Sequence, residues 1–257
     1  MFVEPRRPSP AVIVAPPLAS ARNFGSFSLV EAIARAVNKE YNRRSEDAVD
    51  RYNSSVGGGR GGGEKEAVVR TAATTKTWAR MLAKLTGDHK LQSAPRQVNN
   101  VDCCRAGLEC RPDHVVGLFR AMVAEFRRNG GDVVRVKNGF ALTEEQVKAA
   151  NGYQVVLVNY RMVCETVTYA DVVPHLEAIK EEVGGYKERF IAPLLTWLQS
   201  PSVRDQPVSF LVETQTIIPV MLASRHLSHY PYKFVRCSGD ERADAAAVVK
   251  ALMDDLS

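Results

Sequence analysis

Apolar side chains at Leu29, Ile33, Ala36, Val37 and Tyr41 recur three and four residues apart, the period of one helix face. Ser28 and Glu31 stand in the spacing of a capping box, so the pattern predicts an amphipathic helix over 28–52 that Asn53-Ser54-Ser55 would end. A second helical pattern, Val68, Ala72, Trp78, Leu82 and Leu85, predicts a helix over 64–86 that stops at Gly87. Between the two lies Gly57-Gly58-Gly59-Arg60-Gly61-Gly62-Gly63, whose backbone entropy marks a flexible linker. Residues 87–112 show no period and are expected to be irregular. Pro112-Asp113 then opens a helix over 113–129, with Val115, Leu118, Phe119, Met122 and Phe126 on its apolar face. Arg127 and Arg128 suit its last turn, and Gly130-Gly131 stop it.

Strand signals begin at Val133-Val134-Arg135-Val136. Asn138-Gly139 separates this run from Phe140-Ala141-Leu142, which predicts a hairpin over 132–142. Thr143-Glu144-Glu145-Gln146 is a capping box for a short helix. Beyond Tyr153 apolar β-branched runs alternate with helical patterns. Strands are expected near 155–158, 208–212 and 233–237, and helices near 171–183, 186–199, 215–229 and from Asp240 or Asp244 onward. Connections of that length imply parallel pairing through crossovers. The expected fold is therefore α/β, with a helix-rich N-terminal part carrying a β-hairpin and a three-layer α/β half built on a short, mainly parallel sheet. Its expected divisions are a Pro-rich lead over 1–26, a basic helical segment over 27–86 and a globular domain over 87–257.

Composition adds an asymmetry that the hydrophobic pattern lacks. Residues 1–112 hold 18 Lys and Arg against 11 Asp and Glu, and residues 113–257 hold 16 against 18, so the net charge of +5 belongs to the first half. Such a basic section can engage a polyanion through phosphate contacts. Five cysteines, an odd number without a secretory apolar stretch before them, fit a reducing, intracellular compartment, the cytoplasm foremost. Arg6, Arg7 and Arg22 among serines would suit a mitochondrial presequence, although Glu4 and the prolines spoil its amphipathic helix. No apolar run approaches the roughly 18–20 residues of a membrane span, so no membrane partner is expected.

Candidate chemistry is sparse. In a parallel sheet ligands bind beyond the carboxyl ends of strands, and those ends carry Asn159 and Arg161, Glu213, and Ser238-Gly239-Asp240. Helix capping explains Glu213, Ser238 and Asp240 equally well. Cys103, Cys104, Cys110 and His114 cluster in sequence, but their spacing departs from that of a structural zinc site. His226 and His229 share a helix face without the residues of a zinc hydrolase motif. Neither a phosphate-binding glycine motif nor a nucleophile elbow occurs. No metal, cofactor or catalytic residue is assigned on these grounds.

The resulting expectation is a basic, non-enzymatic nucleic-acid-binding protein, for RNA or ribonucleoprotein assembly. Arg43, Arg44, Arg60, Arg120, Arg127, Arg128, Arg135 and Lys137 would contact the phosphates. Two other readings stand beside it. One is an α/β enzyme or small-ligand-binding domain with its site at Asn159, Arg161, Glu213 and Ser238. The other is a scaffold whose helix 28–52 docks on a protein partner or a second copy.

Overall fold

The first long helix is one the sequence delimits poorly at its start. In the computed structural model, which describes residues 24–56, 67–77, 80–81, 102–149, 154–183 and 188–222, α1 spans Phe24–Val56. Ser28, expected as its cap, lies a turn inside and is fully buried. At 1.5 Å per residue α1 is about 50 Å long, enough to cross the whole sheet. Behind it come β1 (Val68–Thr75), β2 (Cys104–Cys110), α2 (Val115–Arg127) and β3 (Asp132–Asn138). The chain continues through α3 (Glu144–Ala149), β4 (Val156–Thr168), α4 (Val173–Val183), α5 (Glu188–Leu198) and β5 (Pro207–Ile217).

The fold is mixed α/β, and its five strands form one sheet in the order β1-β2-β5-β4-β3. The pairing corrects the expected parallel sheet. Only β2 and β5 run parallel; β1–β2, β3–β4 and β4–β5 are antiparallel. Part of the reason is that β1 and β2 fall where helix 64–86 and an irregular stretch were expected. Val68-Val69-Arg70-Thr71 and Thr74-Thr75 are β-branched at most positions, and that stiffness favours a pleated strand over the helix their apolar spacing suggested. In β2 burial alternates strictly from Cys104 to Cys110, the two-residue period of a strand with one face covered.

The hairpin over 132–142 is also corrected. The Asn138 side chain accepts the Phe140 amide, and Gly139–Ala141 forms a 3-10 turn, so β3 turns away from its sequence neighbour and pairs with β4. Thr143 and Gln146 exchange backbone-to-side-chain hydrogen bonds of 3.0 and 3.4 Å ahead of α3. Helix 215–229 starts later than expected because β5 continues through Ile217, two residues before Pro219. The expected strand 233–237 and last helix, the Gly-rich segment 57–63 and most of the Pro-rich lead lie outside the described residues.

Among the described residues, α1, α2, α4 and α5 contribute to one core on one face of the sheet. Cys104, Ala106 and Leu108 of β2, Val158, Tyr160 and Met162 of β4, and Val208 and Val212 of β5 point into a single core with Tyr41, Leu118, Met122 and Phe126. Phe126 stacks on Tyr160 with ring centroids 4.6 Å apart, and Tyr41 lies 6.0 Å from Phe126. The apolar stripe of α1 is spent in this core: Leu29, Val37 and Tyr41 are all buried. That corrects the docking role considered for helix 28–52, because the face that would meet a partner already meets this sheet.

Polar groups on α1 finish what the strands leave open. Asn53 accepts the Val68 amide and donates to its carbonyl, both at 3.0 Å, while Asn42 accepts the Ala73 amide at 2.7 Å. Edge strand β1 is thus closed by side-chain amides rather than left to pair with another chain. The Glu40 carboxylate accepts the amides of Glu165 and Thr166 at 2.8 and 3.1 Å, where the β4–β5 register breaks between Val163 and Thr168. Beside it Arg44, fully buried, donates to the carbonyls of Val163 at 3.0 Å and Glu125 at 2.9 Å and lies 5.1 Å over the Phe126 ring. Glu40 and Glu125 are its carboxylate partners at 3.7 and 3.5 Å.

Removing one partner of a buried ion pair strands the other, which costs far more than losing a surface pair. Arg44→Met is therefore expected to lower unfolding stability in urea by about 3–5 kcal/mol. Arg43→Met, next to it but on the exposed side, should stay within about 1 kcal/mol of wild type. Equal losses from the two would refute the assignment of Arg44 as the core tie.

Candidate functional site

The face of the sheet turned away from α1 is polar, and strand register builds it. Partners across β2, β5, β4 and β3 align Arg105 with Glu213, Glu213 with Asn159, and Asn159 with Arg135. The next row two residues on aligns Gly107, Gln215, Leu157 and Lys137. Alternation places these side chains opposite the row of Ala106, Thr214 and Val158, which are buried, and Val136, which is exposed on the edge strand. One carboxylate thus sits at mid-sheet with guanidinium groups one strand away on one side and two on the other.

Glu213 is 2% exposed and Asn159 1%. The Asn159 amide donates to one carboxylate oxygen of Glu213 at 3.1 Å, and the Gln215 amide donates to the other at 3.0 Å. Among the described residues no Lys or Arg forms an ion pair with this carboxylate. A buried charge is commonly neutralised by a cation; here two neutral donors orient it and leave each oxygen with acceptor capacity. Beyond the Arg105 end of the row, Asp102 pairs with Lys76, which is 8% exposed, and lies 3.9 Å from the Arg105 guanidinium. Such an arrangement can bind anionic groups at Arg105, Arg135 and Lys137 and accept a proton at Glu213.

Of the residues nominated for a ligand cleft, the fold brings Asn159 and Glu213 into contact. They meet in the middle of their strands rather than at the carboxyl ends, because β4 and β5 are antiparallel. Arg161 lies on the same face but turns to the Gly130 carbonyl at 3.3 Å. Ser238, Gly239 and Asp240 lie outside the described residues, as do His226 and His229. Sequence reasoning missed Lys76, Asp102, Arg105 and Gln215. The spacing of Glu213 and Gln215 carried a signal, since residues two apart in a strand share a face. Nothing local marks Arg105, which joins the site only through parallel pairing of β2 with β5.

The cysteine cluster has a different fate. Cys104 and Cys110 lie six residues apart along a strand, about 20 Å at 3.3 Å per residue, too far to share an ion. Cys104 approaches the Asn38 side-chain oxygen at 3.4 Å, and Cys103 approaches the Met81 sulfur at 3.3 Å. His114 is hydrogen-bonded to the Tyr52 hydroxyl at 2.9 Å. Among the described residues no three His, Cys, Asp or Glu side chains are grouped to hold a metal. No helix among them is long and apolar enough to cross a membrane.

No protein-family model matches the chain, and no curated protein matches it in sequence. Solved structures do resemble it in fold. Small alarmone synthetase 1 from Bacillus subtilis shares 14% identity over 87% of this chain and 92% of its own, with a TM-score of 0.49. The same protein bound to its product pppGpp gives 15% identity over the same shares and a TM-score of 0.48. A GTP pyrophosphokinase family protein from Streptococcus pneumoniae gives 10% identity over 88% of this chain and 83% of its own, with a TM-score of 0.42.

These are described as enzymes and nucleotide binders, not as RNA-binding or ribonucleoprotein components. The expectation of a non-enzymatic RNA-binding protein is corrected on the chain's own geometry, and folding explains why the charge count misled. Arg44 is fully buried. Arg43 pairs with Asp47 and Glu165, Arg127 with Asp132, and Arg128 with Glu125. Arg60 lies outside the described residues. Arg120 is exposed on α2, whereas Arg135 and Lys137 belong to the open sheet face. The seven described residues are thus divided among the core, ion pairs and separate elements.

The buried thiols give a direct check. Burial foremost pushes Cys104 and Cys164 up to about 12, and Cys110 up to about 11. At pH 8 the thiolate fraction at the first two is about one in ten thousand. Iodoacetamide at pH 8 should leave all three unlabelled in the folded chain and label them in urea, as read by peptide mass spectrometry. Rapid labelling of the folded chain would show that β2 is not held in the core as described.

Proposed function

We propose that the chain is an enzyme whose site is the polar sheet face around Glu213 and whose substrate is a phosphorylated compound, a nucleotide first among them. The observation that carries this reading is the Glu213 carboxylate, buried with no cation partner among the described residues and oriented by Asn159 and Gln215. A carboxylate used only for packing gains more from a cation partner or from replacement by an apolar residue. Held by neutral amides, it keeps its capacity to take a proton from a substrate hydroxyl. Arg105, Arg135 and Lys137 in the same two rows supply charge for phosphate oxygens. The aligned strands hold base and cations at fixed spacing, which is the protein's main task in phosphoryl-type transfer.

The reaction to test first is transfer of a pyrophosphoryl group from ATP to a GTP hydroxyl. Glu213 would take the hydroxyl proton as the new oxygen–phosphorus bond forms and AMP leaves. In an assay with the magnesium salts of ATP and GTP, Glu213→Gln is expected to lower turnover by about 10²–10⁴-fold while GTP binding holds within severalfold. Arg105→Ala should instead weaken GTP binding, by an amount that shrinks as salt is raised. Wild-type protein that binds neither GTP nor ATP at millimolar concentration, or a Glu213→Gln variant that turns over at the wild-type rate, would overturn the proposal.

A further inference from the structure

Segment Glu213–Gln215 is held from above by its own side chains and from below by two phenols. On the helix side the Tyr41 hydroxyl, carried by α1 and fully buried, donates to the Glu213 backbone carbonyl at 2.6 Å. The same hydroxyl faces the Ala106 amide of β2, so it sits at the seam of the parallel pair β2–β5. One residue along, the Tyr160 hydroxyl faces the Thr214 side chain, and its ring is clamped on Phe126. Thr214 lies between Glu213 and Gln215, whose side chains meet on the opposite face.

We infer that Tyr41 and Tyr160 are positioning residues for Glu213, fixing through its peptide and that of Thr214 the direction in which the carboxylate faces the open side. This rests on the reading of Glu213 as the site's base, but the geometry can be tested apart from it. Packing alone does not require either hydroxyl: phenylalanine would fill both places and keep the ring contacts with Phe126. The hydroxyls act at Glu213 and at Thr214, the residue between the two site side chains. The Tyr41 bond also ties Glu213 to α1, three residues before Arg44, so the same helix that organises the core sets the register of the base.

The test uses the full chain with Tyr41→Phe, Tyr160→Phe and the double variant. Val37→Ala, a cavity-forming change in the same buried face of α1, controls for general destabilisation. Two readouts are taken. The first is the kcat and KM of the ATP–GTP reaction. Tyr41→Phe is expected to lower kcat about tenfold with KM nearly unchanged, the double variant more, and Val37→Ala to leave both unaltered. The second is the Glu213 side-chain carboxyl resonance in carbon-13 NMR, assigned by its loss in Glu213→Gln. It should move or broaden in both Phe variants and stay in place in Val37→Ala. A carboxyl signal unmoved by the Phe changes, or moved equally by Val37→Ala, overturns the positioning role whatever the activity. A moved signal in a protein that makes no product supports the positioning role and counts against the proposed reaction instead.

Discussion

A buried guanidinium organises this molecule. Arg44 sits in the middle of a helix about 50 Å long, fully removed from water, and it is held there by carbonyl acceptors for its terminal nitrogens and by two carboxylates. Those acceptors come from three elements. The carbonyls of Glu125 and Phe126 lie at the end of α2, Val163 lies in β4, and the carboxylates of Glu40 and Glu125 sit on either side. Carbonyls at a helix C-terminus lack intrahelical donors, so a cation satisfies them and complements the dipole at once. Glu40 is committed in turn to the amides of Glu165 and Thr166. None of these groups can move alone.

The site inherits its rigidity from that arrangement. α1 presents Glu40, Tyr41 and Arg44 within little more than one turn, so the residue that reaches β5 is flanked by residues that fix β4 and α2. Tyr41 touches β5 on its covered face, and Glu213 emerges on the other. A strand transmits position between its two faces because its backbone is hydrogen-bonded on both edges, here to β2 and β4. Preorganisation is what a base needs if it is to accept a proton without waiting for solvent or side chains to rearrange. The polar face thus carries Glu213 and Asn159, both buried, while its charged flank at Arg135 and Lys137 is exposed.

The elements written in local periodicity were legible in the sequence. The apolar stripes of α1 and α2, the Thr143–Gln146 cap and the valine-rich start of β4 each depend on neighbours within a few residues. Pairing was not legible, because it is decided across the chain. Asn138-Gly139 fits a two-residue hairpin, yet the better partner for β3 is β4, with α3 intervening. In Val68–Thr75 helical spacing and β-branching conflicted, and the vacant edge of β2 settled the conflict in favour of a strand. The charge asymmetry was real as a count but uninformative as a surface, since folding sent Arg44 into the core and paired Arg43, Arg127 and Arg128 with carboxylates. The site was half visible: Asn159 and Glu213 were nominated as the polar ends of short parallel strands, a placement that the antiparallel β4–β5 pair replaces, while Arg105 and Gln215 acquire meaning only from register.

The central claim is that phosphorylated substrate occupies the open face in the rows defined by Glu213 and Gln215. A crystal structure of the full chain with GTP tests this most directly. The account predicts phosphate oxygens within hydrogen-bond distance of Arg105, Arg135 or Lys137, and the Glu213 carboxylate turned toward the ligand. Phosphates bound elsewhere, with Glu213 still enclosed by Asn159 and Gln215 and out of reach of GTP, would contradict it.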